Sequence, residues 1–227
     1  MKLSFVIPTL NEALGIEDVL KPLQCFRHVG HEIILADGKS DDDTVELAKS
    51  LVDSIVIVEK GRARQQNAGA KEANGDWLFF LHADTQIPKN LQKILGSRLN
   101  NDIVWGRFDV KLTGCHIYFR IIEKLMNWRS RLTGIATGDQ LIFIRADIFK
   151  KIGGFKDIDL MEDIEISTRL KAISAPLCFC ETVVTSSKKW EKNGIIKTVL
   201  LMWWLRLNFF LGRDPKKLQQ IYYPNNG

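Results

Sequence analysis

The sequence predicts an α/β fold: a doubly wound, mainly parallel sheet with helices on both faces. Two observations predict it. Short runs rich in β-branched and aromatic residues alternate with helical patterns, strand then helix, from Leu3 to Leu81. Polar residues also collect just after three of those runs, at Thr9-Asn11-Glu12, Asp37-Gly38-Ser40 and His82-Asp84. In such sheets ligands bind beyond the carboxyl ends of the strands, so the three clusters are expected to share one crevice. A chain of 227 residues, 45% apolar and 26% charged, suits one such domain with an appended helical segment.

Leu3 to Ile7 reads as a first buried strand, ended by Pro8, with a helical pattern from Gly15 to Val29. Glu32 to Ala36 is a second strand, ending at Asp37-Gly38. Asp41-Asp42-Asp43 then opens a helix whose apolar positions are Val45, Leu47, Ala48 and Leu51. Acidic residues suit a helix N-terminus. Ser54 to Val58 is a third strand, Arg62 to Ala73 a helix, and Asn74-Gly75-Asp76 a turn into the strand Trp77 to Leu81.

Beyond Asp84 the alternation loosens. Pro88 to Leu99 reads as a helix with proline at its start, Asp102 to Leu112 as a strand and His116 to Leu132 as an amphipathic helix. Gly138 to Arg145 reads as a strand, and Ala146 to Ile152 as a helix stopped by Gly153-Gly154. Asp163 to Ala172 is helical, Leu177 to Thr185 a strand and Ile195 to Leu211 a strongly apolar helix. Disorder is expected only at Pro224-Asn225-Asn226-Gly227.

The net charge of +5 favours anionic partners such as nucleotides, phosphate-bearing lipids or an anionic membrane face, without choosing among them. Cys25, Cys115, Cys178 and Cys180 lack zinc-site spacing, and reduced thiols in a cytoplasmic protein account for them. The N-terminal apolar run meets Pro8 too soon for a signal peptide, and no apolar stretch is long enough to span a bilayer.

Several residues could carry chemistry. Asp37, at a strand end before Gly38, suits either a hydrogen bond from a nucleobase N–H or a turn that bonds its own backbone. Asp84 could hold Mg²⁺ or Mn²⁺ through its carboxylate, with the rest of the shell left to a diphosphate. His82 would be a second ligand better matched to Mn²⁺. Arg62 and Arg64 open a helix, where guanidinium groups and free N–H groups make an anion site or a solvated basic turn. Glu162-Asp163 could supply a base or cap a helix.

Together these residues resemble a family. Phe5-Val6-Ile7-Pro8-Thr9-Leu10-Asn11-Glu12 is similar to the opening of family 2 glycosyltransferases, which have the GT-A fold. So are Asp37-Gly38-Lys39-Ser40-Asp41-Asp42-Asp43-Thr44, the run Arg62 to Asn67, and Leu81 to Thr85. Gly138-Asp139-Gln140, Arg145, Gly153-Gly154-Phe155 and Glu162-Asp163 resemble the family's acceptor half. The resemblance runs from Leu3 to Leu170 and is closest to a short bacterial-type branch known beside radical-SAM proteins. It rests on the number and order of motifs.

The resemblance implies a GT-A domain over residues 1–190, with a nucleotide-sugar half at 1–100, an acceptor half at 101–190 and a helical extension at 191–227. It implies a nucleoside-diphosphate sugar held by Pro8, Thr9, Asn11, Glu12, Asp37, Gly38 and Ser40, with Arg62, Arg64 and Asn67 near the diphosphate. Asp84 matches the second aspartate of the Asp-x-Asp metal motif, so Mn²⁺ or Mg²⁺ would sit beside His82, Ala83 and Asp84; His82 stands where the first aspartate belongs. Asp163 matches the general base, with Gly138, Asp139, Gln140, Glu162 and Trp190 on the acceptor side. The Gln-x-x-Arg-Trp motif of processive members is absent, which argues for a single transfer, and the mechanism the resemblance implies is direct displacement, hence inverting.

Two rivals differ. A nucleotidyltransferase would carry a glycine-rich loop where this chain has Pro8-Thr9-Leu10-Asn11-Glu12. A membrane-associated nucleotide-sugar-binding module that has lost activity finds its best support in His82. The apolar helix Ile195 to Leu211, flanked by Lys197, Arg206, Arg213, Lys216 and Lys217, suits either a membrane interface on the cytoplasmic side, near a lipid-linked acceptor, or packing against the domain or a second copy. No nucleic-acid partner is expected.

Overall fold

The computed structural model describes residues 1–100 and 102–223, so the expectation for Pro224 to Gly227 lies outside the described residues. One sheet organises the chain. Its strands are β1 (Leu3–Thr9), β2 (Glu32–Asp37), β3 (Ser54–Ile57), β4 (Trp77–Phe80), β5 (Thr85–Gln86), β6 (Trp105–Leu112), β7 (Ile142–Arg145) and β8 (Leu177–Thr185). They lie in the order β3-β2-β1-β4-β7-β6-β8-β5.

The expected parallel half is present: β1 pairs in parallel with β2 and β4, and β2 with β3. Period-two alternation sends successive residues of β1 into different cores. Leu3, Phe5 and Ile7 join Phe26 and Leu35 on one face, while Val6 joins Ala63, Phe80 and Phe149 on the other. The helix Arg62–Glu72 closes the second face. A Cβ at Gly69 would lie 2.5 Å from Val6 Cγ1, so only glycine lets this helix approach β1 so closely.

The second half reverses direction. β7 runs antiparallel to β4 and to β6, β6 pairs in parallel with β8, and the short β5 is antiparallel to β8. The strand expected from Gly138 to Arg145 is shorter. Gly138–Gln140 is a 3₁₀ turn held by a capping box between Thr137 and Gln140, and Leu141 at φ 46° turns the chain into β7. The helix expected from Gly15 to Val29 is broken into Ile16–Leu20, a 3₁₀ turn at Lys21–Leu23 and Gln24–Arg27. Pro22, which lacks an N–H, sits in the break.

The chain ends on the helices Lys188–Asn193, Ile195–Phe210 and Pro215–Tyr222. Leu205 and Leu218 are buried against Ile135, Leu160, Met161 and Ile164. Val199 and Ile195 pack with Phe119 and Ile122 of the helix Ile117–Thr133. The apolar C-terminal helix is thus packed on one face only, for Leu200, Trp203, Leu207 and Phe210 remain exposed. Among the described residues, no helix is long and apolar enough to cross a membrane.

Candidate active site

The carboxyl ends of β1, β2 and β4 open into one cleft of about 970 Å³, lined among others by Pro8, Thr9, Asn11, Glu12, Gly38, Arg62, Arg64, His82, Ala83, Asp84 and Glu162. Each of the three polar clusters singled out in the sequence reaches it, the second through Gly38, while Asp37 and Ser40 are not among its lining residues. Its floor is built by lacing the loop after β1 to the loop after β2. The Asn11 N–H donates to Ser40 Oγ (2.9 Å) and the Asp41 N–H to Asn11 Oδ1 (2.9 Å). The Glu12 N–H donates to Thr44 Oγ1 (2.8 Å).

Asp37 lies beneath that floor, 1% exposed. Its carboxylate accepts from the hydroxyls of Thr9 (3.0 Å) and Ser40 (2.6 Å) and from the Ser40 N–H (2.8 Å). Of the two readings of Asp37, the turn is what this arrangement displays. Gln65 locks the same edge by donating to the carbonyls of Thr9 (2.6 Å) and Ala36 (2.9 Å).

The helix Arg62–Glu72 points its N-terminus at the cleft, entered through Gly61 at φ 146°. Its free N–H groups and the half-exposed Arg62 guanidinium form an anion site. Arg62 Nη1 stands 3.6 Å from Glu162 Oε1. Arg64 is tied to Asp157 (2.8 Å) at the rim. Asn67 is a structural tie, giving and taking a hydrogen bond with the Phe155 backbone (2.8 and 2.9 Å).

Asp84 is exposed at the cleft, with Oδ1 3.3 and 3.4 Å from the hydroxyls of Thr85 and Thr185. Burial, then the charges of Asp84 and Asp42, raise the pKa of Glu12, so two carboxylates share this corner. Such a pair suits Mg²⁺ or Mn²⁺ that completes its shell from a diphosphate and water. No three His, Cys, Asp or Glu side chains converge among the described residues, so the chain offers part of a shell. Burial, then Arg62, holds His82 well below its ordinary pKa, as a neutral imidazole. Its Nε2 is buried without a hydrogen-bond partner, against Gly138, where a Cβ would lie 2.4 Å away. The expected ligand role of His82 is therefore not open to Nε2 in this arrangement: that atom meets Gly138 rather than the cleft.

Glu162 and Asp163 start the helix Glu162–Lys171, after Met161 turns the chain at φ 70°. They point apart. Glu162 lines the cleft and is 3% exposed, whereas Asp163 is not among the lining residues. The Asp163 carboxylate accepts from the N–H groups of Gly138 (2.9 Å) and Ile164 (2.7 Å). Asp139 and Gln140 belong to the Gly138–Gln140 turn and do not line the cleft. Trp190 packs with Phe119 and Ile122, away from the cleft lining.

Sequence reasoning missed Gln219, Gln220 and Tyr223, which line the cleft from the helix Pro215–Tyr222 and its end. It also missed Lys188, whose charge lowers the pKa of Glu12 in opposition to burial. Neither carries a local signal, since only the folded chain brings the C-terminal region to the cleft.

Burial, opposed by Arg62 and reinforced by Asp163, pushes Glu162 up to about 7. A carboxyl raised on folding binds its proton more tightly in the native state. Its contribution to stability is therefore complete below the unfolded value of 4.5 and is lost as pH rises through about 7. Glu162→Gln is expected to flatten the dependence of Tm on pH across that window, measured by calorimetry; an unchanged slope would assign the titration to another group.

The model of glycosyl transferase family 2 matches residues 4–153, more than half of the chain. The protein described as probable glycosyltransferase YdaM, from Bacillus subtilis (strain 168), is 27% identical over 228 residues, covering 89% of this chain and 53% of that protein. The chain thus spans about half the length of this relative. Among solved structures, S. aureus TarS 1-349 in complex with UDP aligns with a TM-score of 0.64 at 18% identity, covering 82% of this chain and 60% of that one. The mannosyltransferase PcManGT from Pyrobaculum calidifontis, in complex with GDP-Man and Mn²⁺, aligns at 0.57 with 21% identity, covering 81% and 56%. The sheet order, the cleft at its carboxyl edge and these matches agree: the chain has the GT-A fold and belongs to glycosyl transferase family 2.

Proposed function

We propose that this chain moves a sugar from a nucleoside-diphosphate sugar to a hydroxyl acceptor in one inverting transfer. The observation that carries this is the facing of charges in one cleft. Glu12 and Asp84 stand at the strand ends, and Arg62 stands at the N-terminus of its helix. Residues 1–100 supply the donor half. Pro8, Thr9, Asn11, Glu12, Gly38 and Ser40, backed by Asp37, hold the nucleoside; Arg62 and Arg64 hold the diphosphate. Asp84, with Glu12 nearby, would hold Mg²⁺ or Mn²⁺, which supplies positive charge to a leaving diphosphate. The UDP bound by TarS and the GDP-Man bound by PcManGT support such a donor here.

Residues 101–190 supply the acceptor half. Asp163 takes the acceptor's hydroxyl proton as the oxygen attacks the anomeric carbon, and the carbon–oxygen bond to the diphosphate breaks with its electron pair leaving on the nucleotide. Its two backbone donors aim the carboxylate and leave lone pairs for that proton. One observation favours a second reading: Glu162 faces the cleft with a pKa near neutrality, the range that suits a base.

The exposed apolar face of the helix Ile195–Phe210 supports peripheral contact with the cytoplasmic face of a membrane and a lipid-linked acceptor. Co-sedimentation with anionic vesicles at low salt tests that contact. Protein wholly in the supernatant sinks it and leaves a homodimer contact to be sought by light scattering.

A thermal-shift panel of UDP-, GDP- and dTDP-sugars, with and without Mn²⁺, tests the donor. A matched donor at about 100 times its Kd adds about 2.7 kcal/mol, a rise in Tm of about 5 °C for a chain of this size. No shift with any nucleotide sugar would overturn the proposal.

A further inference from the structure

Behind the turn at Gly138–Gln140, outside the cleft, lies a second charged cluster. Arg129 comes from the helix Ile117–Thr133 and Arg206 from the helix Ile195–Phe210. Arg129 Nε and Nη2, Arg206 Nε and Asp139 Oδ1 are all buried without a hydrogen-bond partner. Neither arginine forms a salt bridge among the described residues. Burial, then the charge of Arg206, brings Arg129 down to about 10, so the two guanidinium groups are close enough to repel.

The nearby carboxylates Asp139 and Asp163 answer that charge only through space, and the buried N–H groups still lack an acceptor. Asp163 is engaged by the N–H groups of Gly138 and Ile164. Burial raises the pKa of Asp139 and the charge of Asp163 adds to it, against a Thr137 bond and the charges of Arg206 and Arg129, and Asp139 Oδ1 takes no hydrogen bond from either arginine. Desolvated guanidinium N–H groups with nothing to donate to are costly, and two such groups side by side are costlier. A group with several anionic oxygens relieves both at once, by accepting from Nε of each arginine and Nη2 of Arg129.

We propose that Arg129 and Arg206 form a subsite for a phosphate group carried by the acceptor. This rests on the sugar-transfer reading and narrows its acceptor to a phosphate ester. The placement fits: the subsite lies across the Gly138 turn from His82, with Asp163 bonded to that turn. A phosphate held there would set the acceptor hydroxyl on the Asp163 side. The same two helices expose Trp128, Leu132, Trp203 and Leu207, so the ester is either a lipid phosphate reaching in from an apolar face or a water-soluble one.

Calorimetry with farnesyl phosphate, glycerol 3-phosphate and farnesol, on the full chain, tests the subsite. A phosphate probe is expected to bind wild type while farnesol does not. The double variant Arg129→Gln/Arg206→Gln should weaken that binding by about tenfold or more, and the double lysine variant should recover part of it. Binding of farnesyl phosphate alone assigns a lipid phosphate; equal binding of glycerol 3-phosphate assigns a soluble ester. Because the arginines are unpaired, the glutamine variant should keep the wild-type Tm without ligand. If no phosphate probe binds wild type, or the double variant binds it equally well, the subsite is overturned. A large fall in Tm with phosphate binding unchanged would likewise overturn it, in favour of a structural pair. If the glutamine variant fails to fold, the single lysine variants carry the same comparison. UDP and GDP affinity serves as the separate control. Loss of nucleotide binding in wild type sinks the transferase reading, while arginine-dependent phosphate binding stands or falls by itself.

Discussion

Asp84→Ala is expected to abolish the metal-dependent part of nucleotide binding, raising the Kd for the matched nucleotide sugar in Mn²⁺ by about a hundredfold. The expectation follows from the partial shell at this corner. Asp84 is the exposed carboxylate at the end of the β4 segment, and Glu12 shares the corner half-buried. Removing one of two carboxylates leaves a cation with a single charged protein ligand. The nucleotide would keep its contacts with the Arg62 helix and the laced floor, so weak binding that no longer responds to metal should remain. Calorimetry with and without Mn²⁺ reads both parts. Equal affinity for wild type and variant in Mn²⁺ would remove Asp84 from the metal site.

Asp163→Asn is expected to leave donor affinity nearly intact and to slow transfer by about a hundredfold or more. The substitution is well suited to the question. An amide removes the basic function but keeps one oxygen, and the Gly138 and Ile164 N–H groups bond different carboxylate oxygens, so Tm is read beside the rate to separate a lost base from a loosened turn. Glu162→Gln is the paired experiment. If it costs more transfer than Asp163→Asn, and removes an acidic limb near pH 7 from the rate profile, the base is Glu162. Transfer near the wild-type rate in both variants would place the base outside this pair.

The parallel half of the fold was legible because burial on both faces demands strands that are apolar throughout, and those runs stand out between helical periods. The cleft was legible for the same reason, since strand ends in such a sheet converge. Other features were not. A two-residue strand such as β5 has no pattern to read, and Leu141 adopts a left-handed turn that nothing in its residue type announces. The partition of Glu162 from Asp163 depends on Met161 at positive φ, again without a local signal. His82 looked like a ligand by its place in the motif, yet its buried contact with Gly138 comes from a residue far along the chain. Trp190 was drawn to the acceptor side by its chemistry and is placed instead by Phe119 and Ile122.

The cleft wall contributed by Gln219, Gln220 and Tyr223 also sets an order of events during synthesis. The sheet edge that carries Thr9, Asp37 and Asp84 can pair as soon as β1 to β4 have left the ribosome, and local strand–helix units fold early. The wall opposite arrives only when residue 223 does, and Leu218 must then find Leu205, Leu160 and Ile164. A nascent chain stalled before that point would hold a formed donor floor with one side open to water. Competence for the full cleft therefore waits for residue 223 and is not gained gradually along the strands.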